Sequence, residues 1–425
     1  MYTLIISVFI IGYLAIALEH PIKINKASSA LLTGVLIWSV ICLFPTPESH
    51  GSSSIISHLM EHLSEISGIL FFLLGAMTIV EIIDAHGGFE LITNKITTTN
   101  KVKLLWIISI TTFFMSSVLD NLTTSIIMAA LLRKLIHEKQ DLWMFAGAVI
   151  IAANSGGAWS PIGDVTTIML WVGGQVTAAN IMLEIILPSI VCLIVPVALM
   201  SFKLKGAIQL TQSKEEANHL PLNQKRIVLF IGVASLLFVP VFKTITHLPP
   251  FMGILLGLSV LWIVTELLHK NKEHHTVSNY SIATIIAKID TTSILFFLGI
   301  LLAVAGMQTT GILSSLSAIL DREIGNIWII NALIGVFSSI VDNVPLVAGA
   351  IGMYNLSVFP VDHQFWELLA YCAGTGGSIL IIGSAAGVAI MGILKIDFIW
   401  YLKNISLYAL AGYFAGLATF YFLNL

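Results

Sequence analysis

Long apolar runs dominate this sequence, and two of them are cut near the middle by the same acidic pair. The stretch SSVLDNLTTSI carries Asp120 and Asn121; SSIVDNVPLVA carries Asp342 and Asn343, 222 residues further on (342 − 120). A run of about 17–25 apolar residues is the length that crosses a bilayer as a helix. Hydrocarbon offers no water to a loose backbone, so such a chain folds as packed helices, and any interruption is buried in protein or lines a cavity. Runs of this kind cover approximately residues 2–18, 27–45, 67–84, 141–175, 179–202, 226–243, 249–269, 291–308, 364–390 and 402–423; the two interrupted stretches are 103–136 and 327–355. They are continuous, without the alternation of a membrane barrel. Of the 425 residues only 10% are charged, against about 25% in a soluble chain. The expected fold class is an all-α polytopic membrane protein. Residues 1–18 lack a basic start and a small-residue cleavage site, so they are expected to form a first span rather than a removed leader. Cys42, Cys192 and Cys372 are odd in number and far apart, which points to neither a disulfide framework nor a zinc site.

The chain repeats itself. ILFFLLG at 69–75 returns as ILFFLG at 294–299, SSVLDN as SSIVDN, and SGGAWSPIGD at 155–164 as TGGSILIIGS at 375–384, in the same order and near the same offset. Residues 203–225 form the one long polar connection between the two copies. This predicts a first repeat over 1–202, a linker over 203–225 and a second repeat over 226–425. Each arm beside an Asp-Asn pair spans about 15 residues, or about 22 Å as helix, short of the roughly 30 Å core. A re-entrant hairpin with Asp-Asn at its tip is the economical form. Five spans plus one hairpin per copy give an odd number of crossings, so the second repeat is expected to be inverted relative to the first, as in many transporters. With the N-terminus outside, 18 of the 20 lysines and arginines fall inside, leaving Lys243 and Arg322 outside, which is the bias that membrane insertion favours.

A charge held in hydrocarbon costs several kcal/mol and persists where it faces a cavity or a partner. Asp120 and Asp342 qualify as ion-handling acids, and both Asp and Asn can also cap the helical arms that start at them. The string AANSGGAWSPIGDVTT at 152–167 breaks an apolar span with glycines and a proline. An unwound segment at a repeat interface exposes carbonyls and helix ends that suit a sodium ion. Asn154, Ser155, Asp164, Thr166 and Thr167 add oxygen ligands of the kind hard cations take, and a Na+ held by Asp120, Asn154 and Asp164 is the expectation. Ser384 stands where the second copy would repeat Asp164, so the two sites are not equivalent; Ser378 lies in the second break. Glu65 and Asp290 correspond to one another before the ILFF motifs. Glu81 sits inside an apolar run, and His86 closes the same span, where a histidine can respond to pH. No His-Glu-x-x-His, phosphate-binding loop or paired intramembrane Tyr-Asp motif is present, so no enzyme, cofactor or nucleic-acid partner is indicated. Without a nucleotide site, transport would be driven by an ion gradient or be passive.

SSVLDNLTTSIIM, ANSGGAWSPIGDVTTIMLW and the second SSIVDNVPL resemble the NhaD family of sodium/proton antiporters, within the ion transporter superfamily. The resemblance runs from the second span onward, and its most specific part is the string Gly156 to Thr167. It implies exchange of cytoplasmic Na+ or Li+ for external H+ across a bacterial inner membrane. By this match Asp120, Asn121, Thr123, Asn154, Asp164, Thr166, Thr167, Asp342 and Asn343 carry ion binding, with Ser116, Ser338 and Ser378 contributing. It also implies an inverted-repeat fold and, by analogy with superfamily relatives, a homodimer. A carboxylate carrier on the same fold is the rival; related carboxylate carriers resemble one another in neutral tips, whereas fixed acid at both tips here favours a cation or a proton.

Overall fold

The computed structural model describes residues 1–44, 51–93, 98–204, 206–208, 220–270, 282–340 and 342–425. Most of the expected linker, residues 205 and 209–219, lies outside them. The first half holds α1 (Tyr2–Ala17), α2 (Lys26–Leu43), α3 (Gly51–Ala85), α4 (Lys101–Leu119), α5 (Asn121–Leu135), α6 (Lys139–Ala158), α7 (Val165–Val172) and α8 (Ala178–Ser201). The second holds α9 (Leu222–Thr246), α10 (Pro250–His269), α11 (Thr291–Thr309), α12 (Ile312–Glu323), α13 (Ile327–Ser338), α14 (Asn343–Met353), α15 (Gln364–Gly376), α16 (Ala385–Leu394), α17 (Phe398–Asn404) and α18 (Ser406–Leu423). Among the described residues there is no named strand, and eight helices are long and apolar enough to cross a membrane. The chain is an all-α polytopic membrane protein.

Several helices start where a side chain can take the orphan N–H groups of a first turn. Asn25 accepts from Ala27 N at 2.8 Å, Asn100 from Lys103 N at 3.0 Å, and Asn326 from Trp328 N at 2.9 Å. The start of the linker is pinned beside α4: Ile208 N donates to Thr99 O at 2.7 Å and Lys101 N to Gly206 O at 3.2 Å. Lys101 also pairs with Asp141 of α6 at 2.5 Å, so the basic starts of α4 and α6 and the linker lie on one side.

Two expectations need correction. The arms are unequal: α4 has 19 residues and meets the length of a span, whereas α5, α13 and α14 have 15, 12 and 11. The Asn100 cap starts α4 early and carries its first turn, with Lys101 and Lys103, into the polar flank. The break in the first half is also narrower than the motif suggests. Asn154, Ser155, Gly156 and Gly157 are the last turns of α6, and the chain leaves the helix only over 159–164. The glycines serve close approach: a Cβ at Gly156 would run into the carbonyl of Phe113 on α4. Gly376 stands against the carbonyl of Gly335 on α13 in the same way, 220 and 222 residues further along.

The halves interlock. The hairpin return arm α5 packs on α16, which follows the break of the other half, and α14 packs on α7 in the reciprocal sense. The unbroken parts, α6 and α15, lie against one another.

Candidate functional site

Four helices begin at one polar centre: α5, α7, α14 and α16. Each is capped by its own side chain. Asp120 accepts from Thr123 N at 2.8 Å, Asp164 from Thr166 N at 2.9 Å, Asp342 from Val344 N at 3.3 Å and Ser384 from Gly387 N at 3.2 Å. A helix N-terminus is a positive end that favours an anion. Here three of the four already hold a fixed carboxylate.

The centre is a connected network drawn from both halves. Asn121 donates through Nδ2 to Asn154 Oδ1 at 3.1 Å and, by a short contact, to Asp164 Oδ2. Asn154 Nδ2 in turn reaches Ser378 Oγ and Ser384 Oγ, both at 2.9 Å. Asn343 Nδ2 stands 3.4 Å from Asp164 Oδ1. Thr166 Oγ1 donates to Asp164 Oδ1 at 2.8 Å, and Thr167 Oγ1 to the Asp164 carbonyl at 2.8 Å. Asn154 is 0% exposed and Asp164 1%, so the network lies away from bulk water, and its groups are worth keeping only because they satisfy one another or a ligand.

Asp120 sits beside this network. Its second oxygen takes the Thr123 hydroxyl at 2.9 Å, and it lines a cavity of about 50 Å³ with Met77, Thr123, Ser293 and Phe297. Its backbone has φ 75° and ψ 160°, a region that glycine occupies and other residues avoid. Asp342 has an ordinary φ of −47°. Its Oδ2 pairs with Lys26 Nζ at 2.9 Å. Ser116 and Ser338 act one layer out: Ser116 Oγ donates to Ala153 O at 2.5 Å and Ser338 Oγ to Ala373 O at 3.1 Å, each tying a hairpin to the helix that breaks.

The expected residues therefore divide. Asn121, Asn154, Asp164, Thr166, Thr167, Asn343 and Ser378 meet, with Asp120, Thr123 and Asp342 adjoining. Ser155 turns back to Ile151 O at 2.7 Å on its own helix, because one residue along α6 is about 100° around it. Asp290 is the cap of α11, taking Ser293 N at 3.1 Å. Glu65 does not precede a helix; it is an exposed residue well inside α3, 3.7 Å from His62, at a cavity of about 510 Å³ that runs between α3, α7, α11 and α14. Glu81 is half-buried on α3. His86 is fully buried and meets His269 Nε2 at 3.0 Å rather than the polar centre. Ser384, expected opposite Asp164, joins the network through Asn154. Lys26 was not foreseen as a site group; a lysine at the end of an apolar run carries no signal.

Paired helical arms and two broken helices, meeting at an enclosed polar centre fed by both halves of an apolar chain, define a polytopic membrane transporter. A family model described as citrate transporter (CitMHS) matches residues 8–368. "Sodium/proton antiporter 1" of Arabidopsis thaliana is 47% identical over 97% of this chain and 71% of its own length, and "Sodium/proton antiporter 2" of the same plant is 45% identical over 97% of each. The "Na(+)/H(+) antiporter NhaD" of Vibrio cholerae is 32% identical over 93% of this chain and 86% of its own. The chain belongs to the citrate-transporter family and, within it, to the NhaD-type sodium/proton antiporters.

Proposed function

We propose that this protein is a secondary transporter that exchanges cytoplasmic Na+ for external H+, with Li+ as an alternative to Na+. The observation that carries the reading is the charge of the centre: among the described residues, Asp120, Asp164 and Asp342 stand against one cation, Lys26. Each acid can be neutralised by a proton or by a metal cation, and competition between the two couples the fluxes. Asp164, with Asn154, Asn121 and the hydroxyls around them, supplies the oxygen-rich ligand set, and Asp120 joins it from the hairpin tip. The ends of α4, α6, α13 and α15 bring helix carbonyls to the same place, where a cation is favoured.

The name of the family model raises the rival, a carboxylate carrier. A carboxylate substrate would meet helix N-termini of which three in four are already filled by fixed acids, and repulsion of like charge disfavours it. The inverted arrangement of 1–202 and 226–425 about the 203–225 linker, external termini and a homodimer complete the proposal. The relatives come from a plant as well as from bacteria, and a bacterial inner membrane gains no support from them. The test is dequenching of a pH probe in everted vesicles. Na+ or Li+ should dissipate the proton gradient and citrate or succinate should not; a response to carboxylate alone would overturn the assignment.

A further inference from the structure

Asp342 and Asp120 occupy matching places in the two copies, yet their surroundings differ. Asp120 turns both oxygens to Thr123, within its own helix. Asp342 gives one oxygen to Val344 N and the other to the ammonium of Lys26, 316 residues away in sequence. Lys26 stands on the first turn of α2, where Glu19 Oε1 holds its backbone N–H at 3.1 Å. Its Nζ lies 4.4 Å from the centroid of the Phe296 ring on α11. The side chains of the pair are 21% and 13% exposed, so the pair is largely withdrawn from solvent. Tyr13 of α1, which packs on α2, carries a buried hydroxyl with no hydrogen-bond partner among the described residues. Asp342 is thus held by an ammonium that no backbone hydrogen bond among the described residues fixes, on a side chain reaching it from another helix.

We infer that Lys26 is a tethered cation that occupies Asp342 when no transported cation is there, so that Na+ reaching Asp342 displaces the ammonium. Lysine suits the task because its charge is a point on a flexible four-carbon stem that can swing away, which a planar fork does less readily. Leaving Asp342 without a counter-charge in a poorly solvated place is costly, and the ammonium supplies that charge between ions. The displaced ammonium then pushes the ion out again, which favours release over retention. Lys26 acts through Asp342 and is a positioning residue, not a ligand of the ion. The first copy has no such plug at Asp120 among the described residues, so the two tips differ in kind: one is open to ions and one is self-occupied.

This inference rests on the cation-exchange reading, and the experiment separates the two. The full-length protein is purified in detergent, its melting is followed against NaCl with choline chloride as control, and the apparent Kd for Na+ is taken from the shift. Exchange is measured in parallel in proteoliposomes. Lys26→Gln removes the competitor. A neighbouring charge moves the ionisation of an acid by about one to three pK units, and the same field acts on a bound Na+, so the Kd should fall about tenfold or more, with slower turnover as release is hindered. Lys26→Arg keeps the charge and grips a carboxylate with two donors, so its Kd should rise. Opposite shifts in the two variants are a signature that loss of packing would not produce. If Lys26→Gln fails to accumulate, the sign of the Lys26→Arg shift still decides. Unchanged Kd values, or shifts in the same direction, in a protein whose wild type binds and exchanges Na+ would overturn the role of Lys26 alone. A wild type neither stabilised by Na+ nor able to exchange it would overturn the transport reading as well.

Discussion

Replacing Asp120 by glycine should leave the protein at least as stable as before while abolishing transport. The backbone at Asp120, with φ 75° and ψ 160°, lies where only glycine is at ease, and a non-glycine residue there carries about 1–3 kcal/mol of strain. Asp120→Gly releases it. The lost cap costs only a few tenths of a kcal/mol when glycine replaces it, and the extra freedom of unfolded glycine costs about 0.5–1 kcal/mol. The net is from about 0 to 2 kcal/mol more stable, summed from these same terms. Asp342→Gly has the opposite sign. Its φ of −47° stores no strain, and the change strips Lys26 of its partner; breaking a buried pair costs about 3–5 kcal/mol, less here for its partial exposure. Asp120→Asn keeps the size, the cap and the same strained backbone, so it isolates the charge. Melting of the purified variants gives the stability order, and Na+-induced dequenching in everted vesicles, at matched membrane levels, gives activity. An Asp120→Asn protein that exchanges at the wild-type rate would reduce the residue to a helix cap. An Asp120→Gly protein that melts well below wild type would remove the strain.

Asp164→Asn should lose exchange outright, because it takes away the buried acid of the network, while Ser384→Ala, which costs Asn154 one of two serine contacts, should raise the KM for Na+ with turnover largely kept; steady-state kinetics in proteoliposomes separate them. Gly156→Ala and Gly376→Ala force a methyl into a neighbouring carbonyl and should each destabilise by about 1–3 kcal/mol, read as a lower yield of monodisperse protein by size-exclusion chromatography; unchanged melting in both would mean the hairpins do not press on the broken helices. A cysteine at Asn223 should resist an impermeant thiol reagent in intact cells, whereas one at Ser357 should be labelled; the reverse result would turn the protein over in the membrane.

The acids were legible because each is out of place: Asp120, Asp164 and Asp342 interrupt apolar surroundings, and nothing local explains a charge there. The helical character was legible for a related reason, since length and continuity of apolar runs are local properties. What stayed hidden depends on three-dimensional register. Gly156 and Gly157 read as breakers, yet they belong to α6, where Gly156 serves contact with α4 and Gly157 with the turn at Gly163. Ser155 looked equal to Asn154, but a single step along a helix turns the side chain away. The serines that hold Asn154 lie 224 and 230 residues away, and no local pattern joins them. Lys26 was hidden by its position, since a lysine at the end of an apolar run is the ordinary interfacial anchor.

The crossing of the two halves sets a schedule for biosynthesis. The arm α5 ends at residue 135, and its bed, α16, begins at residue 385, 250 residues later (385 − 135). At about 5–20 residues per second the ribosome needs roughly 12–50 s to deliver it. Through that interval α5 lacks the helix it packs on, and Asn154 waits for both of its serines. The centre closes only when nearly the whole polypeptide has emerged, so an unfinished chain carries no assembled pathway and cannot drain a gradient while the remainder is being made.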